Sequence, residues 1–546
     1  MKRHIFSLLL LSCLTTSCNN LLDEDVRTQL TGSFIGTSEG LEAAVVAAYQ
    51  PLRQFYGVER GMTTTVFGTD IYMQGSDGSF KYFDTYSSQL DARNQYSREI
   101  WNNFYVGINT ANAIIERAPE ITNMNDATRT IRIGEAKFLR AHHYFVLVQM
   151  FGPVHITLEE TQQVETESGR SSVAEVYDVI VTDLEDAISR LPATTNDWGR
   201  AVKPAAEHLL ARVLLTRASS VAAQPTDYER AATLAKTVIN DYSYTLLPDV
   251  AEVFAQGNEN NPEMIFAAQY INDQIYNGDG PNNASRFVLM QYDVEPGMKR
   301  DMLNGTPWKR FRPTDFLLNE VYDDRANDVR YDKFFKRVYY ANNAATIPQV
   351  NGAPAYSVGD TAIWLPGVEL PASVIESKSY QVLTPSRYTP KLYPSLIKFD
   401  DAIRPDNQAP GVRDFPMMRL AETYLIAAEA LMMSGQAEEA AEYINTLRLR
   451  SARVGDTPEE TEQHRQAMMV SPDQLNIDFI LDERARELVG EMFRWFDLVR
   501  TGELVERVRE HNPYGGGNIQ AHHVLRPIPQ DQIDRTTSEF AQNPGY

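Results

Sequence analysis

The hydrophobic positions of the C-terminal third fall into a helical hairpin. From Phe415 onward, Met417, Leu420, Tyr424, Ala428 and Leu431 recur at spacings of three and four. That spacing lines them along one face of a helix and predicts that the face is buried. Ser434-Gly435 interrupts the pattern, and Ala437, Ala440, Ala441, Ile444 and Leu447 resume it as a second helix. This one ends in Arg448, Arg450 and Arg453 before Gly455, cationic charge where a helix C-terminus favours it. So short a connection makes the two helices antiparallel neighbours. Small alanines on the second let it approach the larger side chains of the first, as tetratricopeptide-type pairs do. An amphipathic helix over residues 475–502 is expected behind them.

The same period marks the first half. Leu41, Ala44, Val45, Ala48, Tyr49 and Leu52 predict a helix over 39–56; Trp101, Tyr105, Ile108, Ala111, Asn112 and Ile115 predict one reaching Pro119. Asp126 reads as the cap of a third, which carries Ile133, Ala136, Leu139, Arg140, Tyr144 and Leu147 and stops at Phe151-Gly152-Pro153. Ser171-Ser172 open a fourth, and two more are expected over 205–218 and 228–242. Arg230-Ala231-Ala232 in the last resembles Glu439-Ala440-Ala441, support for repeated pairs. Residues 57–94 carry Asp70, Tyr72, Asp77, Tyr82, Asp84 and Tyr86 with many glycines and no clear period, and read as loop. Between 248 and 412 the helical period fades while Gly, Pro and Asn multiply and tyrosines recur beside Trp308 and Trp364. Short alternating runs at 263–270 and 333–340 predict small strands. A loop-rich insertion on a helical frame is where binding surfaces concentrate. Its rings suit sugars, whose C–H faces stack on π surfaces while carboxylates and amides take the hydroxyls; the plainer reading is that most of them fill local cores.

The N-terminus bears on where the protein works. Lys2-Arg3, an apolar run over 5–11 and Thr15-Thr16-Ser17-Cys18 read as a secretory signal too short to span a membrane. Residues 1–17 are expected to be removed and Cys18 to carry lipid, with 18–38 as a tether. Cys13 is a competing lipid site with too short an apolar run before it, and cleavage that leaves Cys18 a free thiol is the plain alternative. These two are the only cysteines, so a chain that starts at a lipidated Cys18 holds no free thiol, which excludes disulfides, thiolate metal sites and a cysteine nucleophile. Net charge is −22, and more negative by two without Lys2 and Arg3. Such a chain repels phosphate backbones, which argues against nucleic acid as a partner.

Few residues suggest chemistry. Asp70 with Asp77, or Asp323 with Asp324, could be invoked as a hydrolytic carboxylate pair, but in so acidic a chain they read as solvated charge. No zinc, nucleophile-elbow or phosphate-loop motif appears. His142-His143 and His522-His523 are adjacent pairs that read as structural or surface. Carboxylates in the Asp-rich loops could hold structural calcium, but no calcium-loop motif supports it.

Several stretches together resemble the SusD/RagB family of outer-membrane nutrient-binding lipoproteins. They are the run Phe415-Pro416-Met417-Met418-Arg419-Leu420-Ala421-Glu422-Thr423-Tyr424-Leu425, then Asp482-Glu483-Arg484-Ala485-Arg486-Glu487-Leu488, and Arg494-Trp495-Phe496-Asp497-Leu498-Val499-Arg500-Thr501-Gly502. Pro527-Ile528-Pro529, the ending Gln542-Asn543-Pro544-Gly545-Tyr546, Ala136 to Ala141 with Phe151-Gly152, and the start Cys18-Asn19-Asn20-Leu21-Leu22-Asp23 add to it. His155 departs from a proline usual there and implies only a changed turn. The resemblance implies a mostly α fold: four tetratricopeptide-like helical pairs in an α/α superhelix, with an irregular ligand-binding lobe. The parts would be an N-terminal helical region at 39–247, a variable insertion at 248–412 and a C-terminal helical region at 413–546. It further implies a lid on a SusC-like TonB-dependent transporter that hands over oligosaccharides without chemistry and needs no cofactor. Asp77, Tyr82, Trp308 and Trp364 are the candidate ligand residues. Glu483, Arg484, Arg486 and Glu487 are spaced for ion pairs and not for catalysis. A peptide-binding member, or a helical scaffold that binds only protein, are the alternatives.

Overall fold

The structure, a computed structural model, describes residues 32–546. Cys13, Cys18 and the expected leader lie outside the described residues. A short helix, Gly32–Ile35, falls within the stretch expected as tether. Thr37 then caps α1 (Ser38–Ala48), its Oγ1 accepting the Gly40 N–H at 3.0 Å.

The helices that follow are α2 (Gln95–Arg117), α3 (Asp126–Phe151), α4 (Val173–Arg190), α5 (Lys203–Ala218) and α6 (Asp227–Asn240). Each packs on the next in chain order. Asn125 and not Asp126 caps α3, its Oδ1 accepting the Ala127 N–H at 2.8 Å. Ser172 and Glu175 form a reciprocal capping box on α4. The row continues with α7 (Leu420–Met433) and α8 (Ala437–Arg450), although 179 residues separate the end of α6 from the start of α7 and α6 packs directly on α7. The loop-rich lobe is thus an insertion between two neighbouring helices. Ala231, Ala232, Ala440 and Ala441 are all buried, which lets α6 and α8 lie close to the helices beside them.

Both ends of the insertion are tied together at its base. Strand β2 (Met264–Ala268) pairs antiparallel with β7 (Phe415–Arg419), Phe415 opposite Ala268 and Arg419 opposite Met264. The expected helix from Phe415 therefore begins five residues late. All five residues of β7 are buried, so the run has no exposed face from which local spacing could separate strand from helix, and its partner lies far upstream. Between them, in chain order, stand β3 (Phe311–Pro313), which pairs with β1 (Tyr72–Gln74), and a three-stranded sheet of β4 (Val338–Tyr340), β5 (Thr361–Trp364) and β6 (Gln381–Val382). That sheet has a small core of its own around Tyr292, Tyr339, Ile363, Leu365 and Tyr393, so most tyrosines of the insertion serve packing.

The expected helix over 475–502 is two: α9 (Ile477–Leu488) and α10 (Arg494–Arg500). Between them Gly490 has φ +81°, and a Cβ there would meet the Leu396 side chain at 2.5 Å. The break delivers Glu491 into a buried network. Arg419 Nε donates to Glu491 Oε2 at 2.7 Å and its Nη1 to Glu487 Oε1 at 2.8 Å, while Arg450 Nη2 donates to the same Glu487 oxygen at 2.6 Å and Lys398 Nζ to Glu491 Oε1 at 2.8 Å. Arg448 reaches Glu483, which also receives Arg330 at 2.7 Å. The arginines at the end of α8 therefore serve interhelical pairs more than the helix terminus. Among the described residues no helix is long and apolar enough to cross a membrane.

Candidate functional site

The strand pair β1–β3 brings two distant loops together. Beyond it the pairing continues: the Gly75 N–H donates to the Arg310 carbonyl at 2.8 Å and the Asp77 N–H to the Lys309 carbonyl at 3.2 Å. On the other side of the same segment, the Trp308 N–H donates to the Arg286 carbonyl and the Arg310 N–H to the Phe287 carbonyl, each at 2.9 Å. Trp308, Lys309 and Arg310 are thus held between the 75–86 loop and the 286–290 segment. Lys309 sits at φ +50°, a conformation that a side chain other than glycine seldom adopts.

Trp308 is half-buried. Its ring lies 5.4 Å from that of Phe287, with the Arg310 guanidinium carbon 4.4 Å and the Arg286 one 5.3 Å from its centroid. Arg310 is also paired with Glu59. Asp77 stands 3.5 Å from the Lys309 ammonium. Burial pushes the Asp77 carboxyl up, but the Gly78 N–H, Lys309 and Arg310 together outweigh it and hold the pKa below its ordinary value. Tyr82 is half-buried beside Phe83 and edge-on to Phe80, which stacks on Tyr96 at 3.8 Å. Burial, with Asp91 adding to it, moves the Tyr82 hydroxyl up to about 12, so it remains a hydrogen-bond donor at neutral pH.

The structure joins Asp77 to Lys309, the residue after Trp308, and sets Tyr82 on the same loop as Asp77. Trp364 is elsewhere: it is half-buried on the middle strand of the three-stranded sheet, opposite Val338 and beside Val382. Arg286, Arg310 and Phe80 belong to the neighbourhood and were not legible as such; the Trp-Lys-Arg run at 308–310 is the one local signal, a ring followed by two cations. Asp70, read as solvated charge, is instead fully buried and paired with Arg494 and Arg507, so it offers no hydrolytic carboxylate. Among the described residues no group of three or more His, Cys, Asp or Glu side chains is gathered to hold a metal.

The motif runs at 415–425, 482–488 and 494–502 all lie in the buried helix and ion-pair framework that supports these loops, and residues 262–546 match the model of the SusD family. The chain belongs to the SusD family. Residues 22–215 match a second family model described as starch-binding associating with outer membrane. SusD-like protein P2 of Formosa agariphila is 26% identical over the whole of both chains. The starch-binding protein SusD of Bacteroides thetaiotaomicron is 24% identical over 78% of this chain and 74% of its own. Among solved structures, a laminarin-binding SusD-like protein superposes with a TM-score of 0.67 at 23% identity, covering 93% of this chain and 100% of that one. A SusD homologue from Bacteroides thetaiotaomicron gives 0.71 at 20% identity, over 94% and 98%. The two solved structures share the mostly helical fold of this chain.

Proposed function

We propose that this SusD-family protein binds oligosaccharides at the loop junction around Trp308 and passes them, without chemistry, to a SusC-like TonB-dependent transporter in the outer membrane. Carbohydrate binding is the character of the family, and relatives named for starch and laminarin binding support it. The observation that carries the reading is Trp308 itself: a half-buried indole on a segment bonded along both edges, with Asp77 and Lys309 beside it to meet hydroxyls. A ring so held loses little freedom when a sugar stacks on it. In this reading lipid on Cys18 tethers the protein outside the cell, and the tether raises the effective concentration of lid over pore.

The test is calorimetric titration with glucan oligosaccharides and, in parallel, peptide pools. Glucans are expected to bind and to be recovered at their original length. Trp308→Ala should weaken binding by about tenfold, the order of one good stacking contact. Unchanged affinity in that variant, binding of peptides alone, or shortened glucans would overturn the proposal.

A further inference from the structure

A cavity of ≈ 520 Å³ opens between α1 with the turn after it, the 192–202 loop and the end of β2, and neither Trp308 nor the residues described around it line it. Tyr49 and Trp198 supply aromatic walls, Asn196 and Gln269 supply amides, and Arg53 lines it as well. The loop is fixed in place. The Trp198 Nε1–H donates to Asp414 Oδ2 at 2.9 Å, and the Gln269 side chain donates to the Trp198 carbonyl at 2.6 Å. Gly199, at φ +91°, leaves room for that glutamine, which a Cβ would meet at 2.1 Å.

The charges around the cavity are matched except one. Arg200 pairs with Glu135 at 3.1 Å and Asp197 at 3.3 Å. Glu135 also accepts the Tyr49 hydroxyl at 2.6 Å, and Asp414 accepts Trp198 and the Tyr270 N–H. Arg53 has no carboxylate within ion-pair distance among the described residues, and its buried Nε has no hydrogen-bond partner. Burial lowers its pKa, with only Tyr270 pulling the other way. A partly buried guanidinium without a counter-charge costs stability, and a carboxylate is the group its fork fits best. A hollow on the other face of the same loop, ≈ 560 Å³, has Arg200 as its cation, already paired.

We propose that this cavity is a second binding site, separate from the Trp308 junction, for a sugar acid of one or two rings whose carboxylate is held by Arg53. The rings of Tyr49 and Trp198 offer surfaces to the C–H face of a pyranose, the amides of Asn196 and Gln269 meet its hydroxyls, and the volume lies within the range of small-molecule sites. Val46, 57% exposed, borders the mouth.

The experiment titrates the full mature chain with glucuronate, with a disaccharide ending in glucuronate and with glucose, at constant ionic strength. Both acids, or one of them, should bind one to one, and glucose at least about tenfold more weakly, the weight of one charge-assisted contact. The disaccharide alone binding identifies a chain end as the ligand; glucuronate alone identifies the released sugar. Arg53→Gln should lose about tenfold in affinity while melting no lower than the parent, because no ion pair is removed. Arg53→Lys should recover part of the loss, and Trp308→Ala should leave acid binding intact, which separates this site from the glucan site. Failure of both acids to bind at about 10 mM, near the weak end of measurable affinity, or equal binding by Arg53→Gln, would overturn the proposal.

Discussion

Arg494 donates from Nε to Asp70 Oδ1 at 2.7 Å across 424 residues of chain. Asp70 is fully buried, and although burial raises its pKa, Arg494, Arg507 and His511 outweigh that and hold the carboxyl below its ordinary value. The pair fastens the segment that leads into β1 to the start of α10, so the C-terminal helices hold the foundation of the loop carrying Asp77. Arg494→Met leaves a buried carboxylate with only Arg507, at 3.4 Å. A loss of roughly 3–5 kcal/mol is expected in chemical denaturation, the usual cost of breaking a buried pair from one side. Asp70→Asn combined with Arg494→Met should cost less than Arg494→Met alone, because no charge is then stranded. Additive losses would refute this account.

Trp308 and Trp364 are alike in sequence as the tryptophans of a tyrosine-rich insertion, and both are half-buried, but they stand in different surroundings. Trp308 belongs to the junction with Asp77; Trp364 belongs to the sheet over Tyr339 and Ile363. Alanine at 308 is expected to reduce glucan affinity by about tenfold, and alanine at 364 to leave it within about twofold while lowering the melting temperature. Calorimetric titration of both variants decides it, and equal losses of affinity would refute the separation.

How much of this could be read from the chain follows from what sets each element. The helices of 95–240 were legible because their apolar positions recur at helical spacing, and the first three also have side-chain caps in Asn94, Asn125 and Ser172, which Lys203–Ala218 and Asp227–Asn240 lack. The strand Phe415–Arg419 was not, because it is buried on both faces and finds its partner at Met264–Ala268 through a long-range pairing that local spacing cannot encode. The break in 475–502 rests on Gly490 and on what Glu491 gains by turning inward to Arg419 and Lys398. Of the ligand candidates, the segments carrying Asp77 and Trp308 are joined because β1 pairs with β3; nothing near either residue announces that pairing. Arg53 carries no local signal, since an unpaired cation is recognisable only once its surroundings are known.

Ala440 packs without exposed surface where α8 crosses α7. Enlarging it pushes the two helices apart or forces a poor rotamer. Ala440→Leu is expected to cost about 1–3 kcal/mol, seen as a lower urea midpoint at unchanged slope. A neutral result would mean that the pair has slack at this position and that close approach does not organise it.

Asp84 sits at the far end of the loop that carries Asp77, fully buried, with its Oδ2 accepting the Gln74 N–H at 2.9 Å and its Oδ1 the Asn512 amide at 2.7 Å. Burial raises its pKa from the ordinary carboxylate range to about 7, against those two bonds and Lys81. Below about pH 4 the carboxyl is protonated folded or unfolded; between there and about 7 only the folded protein keeps the proton, so stability falls as pH rises through that window and levels above it. His523, whose pKa burial lowers to about 4, works in the opposite direction over part of the same range, so the informative quantity is the difference between wild type and Asp84→Asn. The variant cannot ionise, and its amide must present one N–H to a donor, so it should melt lower at pH 5 yet close the gap by pH 8. Melting temperatures measured across pH 5 to 8 test this, and curves that run parallel throughout would show that Asp84 does not carry the proton assigned to it.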